Sequence, residues 1–202
     1  MIKNSNLTYG SIAKWLHWLT ALCILVAYVA VYYGQWAFEP RTPDRRAITA
    51  IHTMFGFSVL ILVLPRLIWK LINVRPDPEP VPGWQRITAK LSHGALYFVM
   101  IAMPLAGWMG FGGQTINMFG LFEVPTFRNT ELFAWLVEGK LGLTFEVFEV
   151  PIDFFHKQIG GAWLVWMLVA VHVGAAVYHH RVRKDKTLRR MLPGAKVKQN
   201  DV

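Results

Sequence analysis

Along this chain polar and apolar residues are segregated into long blocks rather than interleaved. Four stretches, Trp15–Phe38, Ala47–Pro65, Leu91–Phe122 and Gln158–His180, contain no Lys, Arg, Asp or Glu. A helix rises about 1.5 Å per residue, so about 20 apolar residues cross a hydrocarbon layer of roughly 30 Å. The pattern therefore predicts an all-α membrane protein, a bundle of four transmembrane helices over residues 13–36, 48–72, 88–111 and 158–181. The second span runs past Arg66 to about Ile72, and the third ends near Gly110–Gly113. Between spans two and three lies Arg75–Gly83 (RPDPEPVPG), too proline-rich to be helical. Residues 112–157 form a long loop rich in Phe and Trp, too aromatic for disorder and expected to fold back on the outer membrane surface. A basic tail, 182–202, follows the last span. The whole chain, 1–202, reads as one domain without internal repeats.

Composition points to lipid as solvent. Hydrophobic residues make up 54% of the 202 and charged residues only 16%, against about a quarter charged in an ordinary soluble domain. A formal net charge of +9 would suit nucleic acid, but the basic residues flank the apolar blocks and read as topology signals. With both termini on one side, that side and the connector between spans two and three carry 15 of the 21 Lys and Arg, leaving 6 opposite. The positive-inside tendency then places both termini in the cytoplasm of a bacterial inner membrane. The single cysteine, Cys23, lies in the first apolar block and reads as a buried packing residue. The first block is too long for a secretory signal core and is read as a retained helix.

Histidines inside spans are costly and mark function by default. Counting from the helix ends, His17 and His172 lie at matching depth in the cytoplasmic half, and His52 and His156 in the outer half. Two imidazoles at one depth on different helices can ligate one iron from its two faces. Small neighbours (Ala13, Thr20 and Ala21 around His17; Gly56 after His52; Ala175 and Ala176 after His172) leave room for a flat macrocycle, or else mediate helix–helix contact. No ligand spacing suits zinc. His93 opens the third helix and suits a haem propionate, a quinone headgroup or simple interfacial placement. His179 and His180 close the fourth span as interfacial anchors. Arg66 suits a propionate or snorkels to the headgroups.

Four segments carry a resemblance to a known family: YGSIAKWLHWLTA around His17, IHTMFGFSVLILVLPRLIW around His52, KLSHGALYFVMIAMPLAG around His93, and VHVGAAVYHHRVRKDKTLRRMLP around His172. They resemble the bacterial cytochrome b561 family, related to the di-haem cytochrome b subunits of hydrogenases and formate dehydrogenases. The resemblance implies two non-covalent haem b groups with bis-histidine ligation. His17 with His172 would hold the cytoplasmic iron, and His52 with a histidine early in the fourth helix the outer one. It also implies electron transfer with ubiquinone or another membrane quinone and, in one branch, oxidation of superoxide to dioxygen.

Family members separate the two fourth-helix ligands by 14 residues, whereas His156 and His172 are 16 apart, with Gln158 at the family position. On an ideal α-helix 16 steps leave the pair roughly 160° out of phase. A bulge at Gly160-Gly161, a non-helical approach of His156, or an altered outer haem would each resolve this; His156 is kept as the ligand. The function expected is electron transfer between an outer donor and the quinone pool. Superoxide, attracted by Arg41, Arg45 and Arg46, is one candidate donor and a periplasmic redox protein another. The alternatives are a non-enzymatic cytochrome b subunit or anchor for a partner enzyme, and a haem-free transporter or scaffold. The oligomeric state, a homo-oligomer included, stays open.

Overall fold

The structure is a computed structural model and describes residues 1–195; Lys196 and Lys198, counted above in the basic tail, lie outside the described residues. Four helices are long and apolar enough to cross a membrane: α1 (Ser11–Ala37), α2 (Pro43–Ile72), α3 (Gly83–Gly110) and α4 (Phe145–Arg183). Local chemistry sets their ends. Thr42 caps α2 by accepting from the Arg45 amide, Pro43 stands at its first position, and Asp44 faces the positive helix start. Left-handed Lys184, with φ 55°, ends α4.

α1 packs along α2, α2 against α3, and α3 against α4. Two interior clusters hold them: Cys23, Val59, Val63 and Met100 between the first three helices, and Val99, Val165 and Leu168 between α3 and α4. Leu25, Leu64, Ile68 and Val171, by contrast, are all more than half exposed. Apolar side chains turned outward along every span are what a lipid-facing surface requires.

The bounds differ most from the sequence reading in the loop. α4 begins at Phe145, not near 158, because the charges that interrupt the apolar run do not interrupt the helix. Lys157 pairs with Asp153 one turn earlier on the helix surface. α3 begins at Gly83, five residues early, through a turn carrying Arg86. The remaining loop is ordered. An antiparallel hairpin, β1 (Thr115–Met118) with β2 (Phe122–Pro125), pairs Ile116 with Val124. Beyond it, Phe127, Phe133, Val137 and Phe145 form a core of their own, with Trp108 and Phe148 packed against it. The hairpin tip lies on α2: Phe119 meets Phe55 edge-on at 5.5 Å.

Candidate functional site

The backbone of α4 lies close to α3 but stands off from α1 and α2. Side chains span the separation, and histidines lead them. His17 on α1 faces His172 on α4 with ring centres 6.1 Å apart; His52 on α2 faces His156 on α4, also at 6.1 Å. Along α2, His52 precedes Arg66 by 14 residues, about 21 Å of helix, and Arg66 touches His17. The two pairs therefore lie in opposite halves of the bundle, His17–His172 on the side of the termini.

These pairs fit a haem. A metal–imidazole bond is about 2 Å, so one iron between two rings holds their centres about 6 Å apart. The His52–His156 pair is also oriented for ligation. His52 Nδ1 lies 2.9 Å from the Ala27 carbonyl and His156 Nδ1 lies 3.0 Å from that of Met103. A carbonyl only accepts, so each Nδ1 carries the proton and each Nε2 presents a lone pair. At His17 the partner is reversed. Arg66 Nη2 donates to Nδ1 over 2.9 Å, which leaves the proton of the neutral ring on Nε2. Ligation through Nε2 there requires Arg66 to turn to another acceptor.

His93 joins the His17 side: its ring centre is 5.6 Å from that of His172, nearly perpendicular, while its Nδ1 donates to Ala89 at 2.6 Å. Three histidines and Arg66 thus meet there. His179, two turns beyond His172, pairs instead with Asp185 at 2.5 Å, and His180 is exposed. Among the described residues no group of three or more His, Cys, Asp or Glu is arranged around a bare metal ion. A pair of imidazoles suits a metal whose other ligands arrive with it. Among the described residues nothing lies within 4 Å of a Cβ added at Gly56, beside His52, so it makes no close helix–helix contact with them.

The sixteen-residue interval between His156 and His172 has a structural answer. Phe154–Leu164 is a π-helix of 11 residues inside α4. Each π turn takes about one residue more than an α turn, so about two turns absorb two residues and sixteen steps turn α4 about as far as fourteen α steps would. Gly160 and Gly161 sit within this run, where a bulge was one of the expected resolutions. Residues the sequence reading passed over complete the His52–His156 site. Gly107 leaves room for the His156 ring, since a Cβ there would come 2.9 Å from Cε1. The carbonyls of Ala27 and Met103 carry no sequence signal, because every residue has one. Gly107 does: Pro104, Gly107 and Gly110 form a small-residue stripe at helical spacing.

The family model described as prokaryotic cytochrome b561 matches residues 8–194. The chain is 31% identical over 191 residues to cytochrome b561 homolog 1 of Escherichia coli (strain K12), covering 90% of this chain and 95% of that protein. It is 25% identical over 188 residues to the probable superoxide oxidase CybB of Yersinia pestis, covering 92% and 96%. To the probable Ni/Fe-hydrogenase 1 B-type cytochrome subunit of Escherichia coli (strain K12) it is 23% identical over 199 residues, covering 88% and 85%. The chain therefore belongs to the prokaryotic cytochrome b561 family, multi-pass membrane proteins that transfer electrons through b-type haem.

Proposed function

We propose that this chain holds two b-type haems, one between His17 and His172 and one between His52 and His156, and carries electrons across the membrane between an outer donor and the quinone pool. The observation that carries the reading is the duplication of one motif: two imidazole pairs, each 6.1 Å apart, in opposite halves of the bundle. The bound groups supply one-electron chemistry, and the protein sets their spacing and surroundings. Ala27 and Met103 fix the tautomers of His52 and His156, and Arg66 turns from His17 to a propionate.

Both termini are cytoplasmic in this reading, on the charge asymmetry of the flanking segments. The His52–His156 pair is then the outer one. Arg45 lies seven residues before His52, two turns along the same stripe of α2, with Arg46 beside it and Arg41 in the preceding turn. This basic cluster favours an anionic donor, and the Yersinia pestis relative named a probable superoxide oxidase makes superoxide the first to test. The second reading, an electron-transfer subunit for a partner enzyme, draws on the hydrogenase-subunit relative and on the exposed loop aromatics Phe119, Phe122 and Trp135, which a partner could cover.

A reduced-minus-oxidised spectrum with haem counting on purified protein tests the reading. Two b-type haems per chain are expected; His17→Ala or His172→Ala should remove one, while His93→Ala should keep both. Loss of a haem in His93→Ala with retention in His17→Ala would reassign the pair. Superoxide-driven quinone reduction by the isolated protein separates the enzyme from the subunit, which would lack it and co-purify with a redox partner.

A further inference from the structure

We infer that His93 is a positioning residue for His172: its Nε2 accepts a hydrogen bond from the His172 Nδ1–H, which leaves the His172 Nε2 lone pair for the iron proposed there. The inference rests on the two-haem reading and adds the group that orients the fourth ligand.

Each of the other three proposed ligands meets a neighbouring helix through Nδ1. Ala27 of α1 holds His52 of α2 at 2.9 Å, Arg66 of α2 reaches His17 of α1 at 2.9 Å, and Met103 of α3 holds His156 of α4 at 3.0 Å. Among the described residues His172 has no hydrogen-bond partner, and the aromatic rings beside it are those of His17 and His93. A ligating imidazole ordinarily donates its second N–H to a fixed acceptor, which sets its tautomer and orientation.

The packing of α3 on α4 brings His93 to this place. Leu96 and Val99 of α3 pack with Val165 and Leu168 of α4, and His93 and His172 lie one turn further along each helix towards the side of the termini. Their ring centres are 5.6 Å apart. Two imidazoles sharing a hydrogen bond of about 3 Å have centres about 5 Å apart, so a shift of roughly half an ångström closes the contact. The chemistry is complementary. His93 Nδ1 donates to the Ala89 carbonyl at 2.6 Å, so the neutral ring keeps a bare Nε2 that only accepts. A propionate carboxylate and a quinone carbonyl are acceptors too and cannot bond to it. The Nδ1–H of His172 can.

The test is a redox titration of the purified, haem-loaded protein, without quinone and with ubiquinone added, comparing wild type, His93→Phe and His93→Gln. An acceptor on the Nδ1–H of an axial imidazole makes that ligand more basic and favours ferric iron. His93→Phe keeps a ring and removes the acceptor, so it should retain two haems and raise the midpoint potential of one. The expected rise is roughly three- to tenfold in its one-electron equilibrium, tenfold being about 59 mV. The other haem should hold its value, and His93→Gln, whose amide oxygen accepts, should return the shifted one towards wild type. Unmoved potentials in His93→Phe overturn the inference, as does a shift that His93→Gln leaves in place, the mark of packing alone. Loss of a haem in His93→Phe makes His93 a ligand and overturns it. A shift seen only with ubiquinone present assigns His93 to the quinone and overturns it too. Wild-type protein without two haems removes the underlying reading first, before any variant is compared.

Discussion

A methyl group on Gly107 would lie 2.9 Å from Cε1 of His156, and one on Gly160 would lie 2.0 Å from the Met103 sulphur. The second contact is the shorter but the milder, because a thioether at the end of a flexible side chain can swing away. The imidazole cannot, since its Nδ1 is tied to the Met103 carbonyl. Gly107→Ala should therefore cost about 1–3 kcal/mol of overpacking and reduce occupancy of the haem proposed at His52–His156 alone, read as a fall in haem count towards one from the proposed two. Unchanged count and spectrum would mean that His156 is free to move. At this scale the sequence was legible where chemistry is carried by side-chain type: the histidines and Arg66 stand out because charge and imidazole are rare in apolar blocks. It was silent on Ala27 and Met103, which act through their carbonyls.

Element boundaries were legible to the extent that charge marks a membrane edge, and were missed where it does not. Asp153 and Lys157 ended the predicted fourth span, yet they lie on the surface of a helix that continues through them. Nor does an apolar pattern reveal a π-helix, whose extra residue per turn alters no residue's polarity. What pointed to it was a conflict of phase between His156 and His172, with two adjacent glycines in the interval. Gly161 is the position that holds this geometry, since a Cβ there would come 2.8 Å from the His156 carbonyl oxygen. Gly161→Ala should drive the run towards α-helix, rotate His156 away from His52 and cost the haem proposed for that pair. Deleting Gln158 and Ile159 in that variant returns the interval to fourteen residues and should restore the haem. Failure of the deletion to rescue, with the haem proposed at His17–His172 intact, would separate ligation from helical phase.

Across the whole molecule, the terminal-bearing face is tied together by segments far apart in sequence. Asn4 donates to the Val74 carbonyl, the Asp77 amide to Asn6, and Arg190 pairs with Glu79 and donates to the Asp77 carbonyl. Trp18, beside His17, donates to the Met191 carbonyl at 2.9 Å, so the docked tail rests against the helix that carries His17. The turn that folds the tail back is held by Asp185, 11% exposed, which accepts from His179 and from the Thr187 amide. Burial alone would raise its carboxyl, but these hydrogen bonds, with the charge of His179, outweigh burial and hold it below the ordinary carboxylate range. A carboxyl depressed in the folded state stabilises it above the unfolded value, near pH 3.8, and loses that contribution as pH falls through the lower folded value. Tail docking should therefore be level through neutral pH and loosen only in strong acid. Asp185→Asn should loosen it at neutral pH, raising amide exchange over residues 187–192 by about tenfold, roughly the 1.4 kcal/mol expected at the low end for hydrogen bonds to a charged group. The measurement is hydrogen exchange, corrected for its intrinsic pH dependence, in both proteins. Equal protection at pH 7 would show that the Arg190–Glu79 pair and the Trp18 hydrogen bond dock the tail without Asp185.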